Sequence, residues 1–159
     1  VPIVAIVNSG GGVRAAIASS GVYKALHESG LLATAGYIAG LSGSSWFLTY
    51  LYTHPDFPDN SAPEQLISEI REKISKKRSE YLTWSNMFIA FKLLIQKWLD
   101  GLSVSFADIF GHLVGEMLLG ERKLLKLSSM KKKLENGSVP MPLFTCIVAK
   151  ETVSARIYQ

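Results

Sequence analysis

Two clusters of small residues have the types and spacing to do chemistry. The first is Ser9-Gly10-Gly11-Gly12-Val13-Arg14, directly after an apolar run. Three glycines in a strand-to-helix loop expose backbone N–H groups with no side chain in the way. The helix that follows adds the positive end of its dipole. Such a loop can hold a developing oxyanion, and one preorganised donor contributes about 3 kcal/mol of transition-state stabilisation. Arg14 falls in the first helical turn beside the same opening, where a guanidinium can hold a phosphate in a fork. The second cluster is Gly40-Leu41-Ser42-Gly43-Ser44. A serine on a sharp strand-to-helix turn is pushed out with its hydroxyl exposed, at the N-terminus of the next helix. Ser44 departs from the G-x-S-x-G pattern, standing where the second glycine would be.

Each cluster taken alone has other readings. Gly10 to Ala15 formally matches G-x-G-x-x-A, the dinucleotide fingerprint. That site also needs an acidic residue about 20 positions on to hold a ribose, and residues 30–41 contain no Asp or Glu. A phosphate-binding Walker loop fails because no Gly-Lys pair exists anywhere in the chain. A nucleotide is therefore not an expected ligand. Plain glycine turns remain open for both clusters. Together they favour a nucleophile and oxyanion donors on neighbouring loops at one sheet edge. A serine needs a base. His27 lies near a helix end, His54 precedes a proline in a turn, and His112 stands four residues before Glu116, as in a surface pair. None has an evident catalytic role, so a Ser-His-Asp triad is not indicated and a Ser-Asp dyad stays open.

The elements that must position these loops follow from hydrophobic periodicity. Ile3-Val4-Ala5-Ile6-Val7 reads as a fully buried strand, residues 13–28 as a helix stopped at Gly30, and Tyr37-Ile38-Ala39 as a second strand. Trp46, Phe47, Tyr50 and Leu51 recur at helical spacing. Strand, glycine loop, helix, strand, serine turn, helix is one βαβα unit of an open α/β sheet. Helices then follow one another. Ser61 with Glu64 forms a capping box before Leu66, Ile67, Ile70 and Ile74. Thr83 caps a helix carrying Trp84, Phe88, Phe91 and Trp98 and ended by Asp100-Gly101, and Ser105 with Asp108 caps another. Ser128 starts a short helix that stops at Asn136-Gly137. Residues 143–149 return to a β-rich run, leaving a helical insertion between sheet strands.

The 159 residues suit one domain able to bury about two thirds of its unfolded surface. Hydrophobic residues at 48% exclude a disordered chain. The net charge, 17 − 13 = +4, permits anionic partners without demanding them, and nothing marks a nucleic-acid binder. The most apolar stretch, residues 87–95, is interrupted by Lys92 and falls far short of the roughly 20 residues a spanning helix needs. The single cysteine, Cys146, fits a reducing compartment. The chain starts at Val1 with no charged region before the apolar run, unlike a secretory signal, and stops at Gln159 in a half-finished strand pattern. It reads as a piece of a longer protein with an incomplete sheet, expected to fold poorly and to lack activity when expressed alone.

The two clusters, with Leu51-Tyr52-Thr53-His54-Pro55-Asp56-Phe57-Pro58 and Pro142-Leu143-Phe144-Thr145-Cys146, resemble the catalytic domain of the group IV cytosolic phospholipases A2, and most nearly their alpha form. The resemblance runs over the whole chain, so residues 1–159 would be the N-terminal part of that domain. It implies a patatin-like α/β fold and hydrolysis of the sn-2 ester of phospholipids through a serine acyl-enzyme. By it, Ser42 matches the nucleophile, Gly11 and Gly12 the oxyanion donors, and Arg14 a residue that holds the substrate phosphate. Asn8 stands where the family has glycine. The family's dyad aspartate lies in an Asp-x-Gly/Ala motif. None of Asp56, Asp59, Asp100 and Asp108 is followed two residues on by Gly or Ala, so the base is expected outside this chain. The resemblance further implies a cytoplasmic protein associating peripherally with phospholipid membranes. Calcium would act only through an upstream membrane-binding module, and no metal or other cofactor is expected within these residues. A non-catalytic lipid-binding or regulatory fragment is the alternative. The clusters Lys76-Lys77-Arg78 and Lys131-Lys132-Lys133 are expected as solvated faces, and the Trp84, Phe88, Phe91, Trp98 stripe as core.

Overall fold

Short β-rich runs that end in asparagine or glycine set the framework. In the computed structural model, which describes residues 3–58, 63–81 and 83–146, strands β1 (Val4–Asn8), β2 (Ala35–Gly40) and β3 (Met141–Phe144) form a parallel sheet in the order β1-β2-β3. The chain divides into two units, Val1–Thr49 with Lys133–Gln159, and Tyr50–Lys132.

In the first unit, β1 leads through the glycine loop into α1 (Gly12–Glu28), which gives way at Gly30 in the left-handed conformation (φ 73°). β2 leads through the serine turn into α2 (Gly43–Thr53). The expected βαβα order is therefore present. Paired residues of a parallel ladder share a face, so Ile6, Ile38 and Pro142 lie on one side with Asn8, Gly40 and Phe144. Ile38 and Gly40 on this side are buried, and Leu48 of α2 packs so closely that a Cβ on Gly40 would stand 2.9 Å from its Cδ1. Tyr23 of α1 and Phe47 of α2 complete this core, with ring centroids 5.9 Å apart.

The opposite face corrects the expectation of a fully buried first strand. Val7 is 78% exposed, and Tyr37, Met141 and Leu143 on the same side are also open among the described residues. Parallel strands read as continuous apolar runs because they are normally covered on both faces; here helices cover one. β3 starts two residues before the expected 143 and takes in Pro142, which an edge strand tolerates, and no strand among the described residues pairs with its outer side. Residues 147–149 of the expected strand lie outside the described residues, as does the Ser61 cap.

The second unit holds the end of α2 and helices α3 (Pro63–Ser75), α4 (Trp84–Leu99) and α5 (Phe106–Leu119), with a further short helix α6 (Lys131–Leu134) straddling its boundary. Leu66 and Ile70 are buried as their spacing requires. The Tyr50 ring lies under two cations, Lys73 Nζ at 5.0 Å and Arg122 Cζ at 4.8 Å from its centroid. Its hydroxyl donates to Glu69 Oε2 at 2.6 Å, and burial with the Glu69 charge pushes its pKa well up. Burial works to raise the Glu69 pKa, but hydrogen bonds from Tyr50, His54 and Gln65 outweigh it and hold the carboxyl below its ordinary value. Thr83 caps α4 by accepting from the Asn86 N–H at 3.3 Å, and Asp108 at the start of α5 accepts from the Ser105 N–H at 2.8 Å. The expected short helix begins one residue early, as a 3₁₀ turn Leu127–Met130 that runs into α6. Two side-chain expectations fail. Glu116 pairs with Lys123, which the turn after α5 delivers to it, rather than with His112. Trp84, Phe88, Phe91 and Trp98 face solvent instead of forming core.

Candidate active site

Every candidate residue lies at the C-terminal edge of the sheet in the first unit. β1 ends at Asn8, β2 at Gly40 and β3 at Phe144, and all three strands point the same way. Ligands of open α/β sheets bind outside this edge. Three polar groups lock the strand ends together. Asn8 Nδ2 donates to the Ala39 carbonyl at 3.3 Å. The Thr145 N–H and hydroxyl both donate to the Gly40 carbonyl, at 3.2 and 3.0 Å. Asn8 thus ties β1 to β2.

The serine turn has an unusual backbone. Ser42 has φ 55°, the one positive φ at a non-glycine among the described residues. A left-handed side chain away from glycine costs of order 1 kcal/mol or more and persists only where its surroundings impose it. Here the imposed constraint is visible. Ser44 is fully buried, and its Oγ accepts the Leu41 N–H at 2.8 Å and lies 3.0 Å from the Leu41 carbonyl and 3.1 Å from that of Asn8. The Trp46 N–H reaches back to the Ser42 carbonyl at 3.2 Å as α2 begins. Ser42 itself is exposed at the tip.

The glycine loop lies directly against this turn. A Cβ on Gly43 would stand 1.8 Å from the Gly12 carbonyl oxygen, and one on Gly10 would stand 3.2 Å from Ser42 Cβ. No side chain larger than hydrogen fits at Gly43, so the second small residue of the serine turn is dictated by the first loop. Gly11 (φ 142°) and Gly12 (φ 62°) take conformations that favour glycine. The first turn of α1 carries no acidic side chain, and Gly11 supplies no side-chain cap, leaving its N–H groups as open donors. Two helix N-termini, those of α1 and α2, thus start beside one serine hydroxyl. Arg14 sits exposed in the first turn of α1.

The structure therefore brings Ser42 together with Gly10 and Gly12, and holds Arg14 one turn along. It brings no aspartate to them within this unit, because residues 1–49 and 133–159 contain none. His27 is fifteen residues along α1 from Gly12, or about 22 Å by helical rise. In the second unit, the His54 Nε2 lies 3.2 Å from Glu69 Oε2, Asp100 accepts from Gln96 and Asp108 from Lys97. Sequence reasoning passed over the roles of Ser44 and Thr145. The signal for Ser44 was its position: a hydroxyl two residues after a left-handed serine can bond back across the turn. We expect Ser44→Ala to leave the Leu41 N–H without its acceptor, lowering stability by about 1–3 kcal/mol. Urea denaturation of the full natural protein would measure this, and an unchanged midpoint would count against the stitch.

These features fit one group of hydrolases. The chain belongs to the lysophospholipase catalytic domain family, whose sequence model matches residues 4–157. It is 34% identical over 154 residues to human cytosolic phospholipase A2 epsilon, a match covering 97% of this chain and 18% of that protein. The structure of human GIVD cytosolic phospholipase A2 matches with a TM-score of 0.85 and 31% identity, over 96% of this chain and 20% of that one. The complex of that protein with methyl gamma-linolenyl fluorophosphonate and terbium chloride matches with a TM-score of 0.77 and 30% identity, over 89% of this chain and 21% of that one. The chain thus spans about a fifth of the length of these relatives.

Proposed function

We propose that residues 1–159 form the N-terminal part of a phospholipase A2 catalytic domain and supply its nucleophile and anion-binding groups. Ser42 Oγ attacks the sn-2 carbonyl carbon, giving its proton to a base. The carbonyl oxygen becomes an oxyanion held by the Gly11 and Gly12 N–H groups. Collapse expels the lysophospholipid, which takes the proton, and leaves an acyl-Ser42 ester. Water then attacks the same carbonyl, and the fatty acid departs as Ser42 regains its proton. The base is an aspartate supplied from outside this chain. Arg14 binds the phosphate of the substrate in a fork, and the protein works at the cytoplasmic surface of phospholipid membranes.

The observation that carries this reading is the left-handed Ser42, exposed and pressed against the Gly10–Gly12 loop. A fold would not hold a serine in that strained conformation merely to make a turn, since glycine would serve without strain. The matched GIVD complex with a fluorophosphonate adds support, because such reagents phosphonylate activated serine hydroxyls. A non-catalytic lipid-binding fragment is the second reading, favoured by the lack of any aspartate in the unit that carries Ser42.

Arg14 gives a test that separates binding from fold. In the full natural protein, Arg14→Lys keeps the charge and removes the fork, so turnover of phospholipid should fall by roughly tenfold. Turnover of a neutral ester without phosphate should change far less. Equal losses on both substrates would make Arg14 structural.

A further inference from the structure

Gly40 is a soft joint two residues before the nucleophile. It is glycine because α2 comes so close that a Cβ there would stand 2.9 Å from both the Ser45 nitrogen and Leu48 Cδ1. A glycine leaves its ψ free to turn, and a turn of the Gly40–Leu41 peptide carries the left-handed Ser42 with it. That peptide is planar, so holding both of its polar groups fixes its orientation. Both are held. Ser44 Oγ accepts the Leu41 N–H at 2.8 Å. The Gly40 carbonyl accepts the Thr145 N–H at 3.2 Å and the Thr145 hydroxyl at 3.0 Å, from 105 residues along the chain. The N–H bond continues the β2–β3 ladder, and any residue but proline could supply it. The hydroxyl bond is what threonine adds.

We propose that Thr145 is a positioning residue for Ser42, clamping the Gly40–Leu41 peptide through its hydroxyl, a role that rests on the phospholipase reading of Ser42. Thr145 touches no reacting atom and acts through the turn. Its branched Cβ restricts χ1, which keeps the hydroxyl on the carbonyl. β3 is only four residues long and stands at one end of the described sheet, so its ladder alone gives the turn few anchors. The neighbouring Ala39 carbonyl is held in the same manner, by Asn8 Nδ2 at 3.3 Å from the end of β1. The last two carbonyls of β2 are thus each held by a side chain at the end of a flanking strand. Ser42 also has little room to drift, since a Cβ on Gly10 would stand 3.2 Å from its Cβ. A reacting group misplaced by 1 Å loses up to about a hundredfold in rate.

The test uses the full natural protein and Thr145→Val, which removes the hydroxyl but keeps the branched shape and the N–H bond. On a soluble monomeric ester its kcat should fall by roughly five- to tenfold, the factor by which one hydrogen bond shifts a local equilibrium. KM should stay within about twofold of wild type. Phosphonylation of Ser42 by a fluorophosphonate should slow by the same factor as kcat. Thr145→Ser returns the hydroxyl and should restore both rates to within about threefold of wild type. In Thr145→Val, amide hydrogen exchange should quicken at Leu41 and Ser44 and stay unchanged at Ile38 of β2. Wild-type kcat and wild-type exchange in Thr145→Val overturn the proposal. So does loss of its folding, or faster exchange along the whole of β2, because the hydroxyl then serves the sheet rather than the turn. Exchange is read without turnover. If Thr145→Val frees the Leu41 amide while wild-type Ser42 neither labels nor hydrolyses, the phospholipase reading alone is refuted.

Discussion

Ser42→Ala is expected to reduce phospholipid hydrolysis by about a thousandfold or more in the full natural protein, leaving only the residual catalysis that oxyanion donors and substrate binding give by themselves. The substitution deletes one exposed hydroxyl, so the melting temperature should hardly move. Ser42→Gly separates the two properties further. It removes the same hydroxyl but relieves the left-handed backbone at φ 55°, and should raise stability by about 1 kcal/mol while being equally inactive. Calorimetry and a fatty-acid release assay read both effects. An active Ser42→Ala protein would assign the chemistry to another group, and a Ser42→Gly protein less stable than wild type would mean that the turn is held by contacts of the side chain.

Gly43→Ala should do the opposite, removing activity by removing geometry. Its Cβ would meet the Gly12 carbonyl at 1.8 Å, the Gly12 carbonyl carbon at 2.5 Å and the Gly12 Cα at 2.8 Å. None of these is the end of a flexible side chain. The two loops must separate by more than 1 Å, because a Cβ essentially never stands closer than 3.0 Å to another heavy atom and ordinary contact begins near 3.4 Å. A cost of about 3 kcal/mol or more follows, at the upper end for overpacking. An oxyanion donor displaced by that distance contributes little. Gly12→Ala is the control: no atom lies within 4 Å of its Cβ, and only the φ of 62° opposes it, so its stability loss should be about 1–2 kcal/mol. Equal melting temperatures for Gly43→Ala and wild type would mean that the loops are not in contact.

What the sequence made legible, and what it hid, follows a physical division. The glycine loop, the serine turn and the order of strands and helices are local properties, written in runs of apolar and small residues. The structure reproduces them, with β2 and α2 flanking Ser42 as the spacing requires. The direction a face points is not local. The stripe on α4 announces one apolar side but cannot say whether protein or solvent meets it. Among the described residues the stripe meets solvent, while Ile89, Leu94 and Lys97 on the other side are partly covered, Lys97 pairing with Asp108, eleven residues on. The bare side of β1 is hidden for the same reason, because Val7 and Ile6 look alike in sequence and only packing against helices distinguishes them. Ser44 looked like a flaw in a pattern. Its hydroxyl bonds across the turn to Leu41 and reaches Asn8, a contact that exists only once β1 and β2 pair.

The central claim is that Ser42 is an activated nucleophile, and covalent labelling tests it most directly. The full natural protein would be treated with a fluorophosphonate probe, digested, and mapped by mass spectrometry. Phosphonylation of Ser42, with Ser9, Ser44 and Ser45 unmodified and labelling abolished in Ser42→Ala, is the result expected from an exposed serine on a strained turn beside open backbone donors. Labelling of another serine with Ser42 untouched would contradict it.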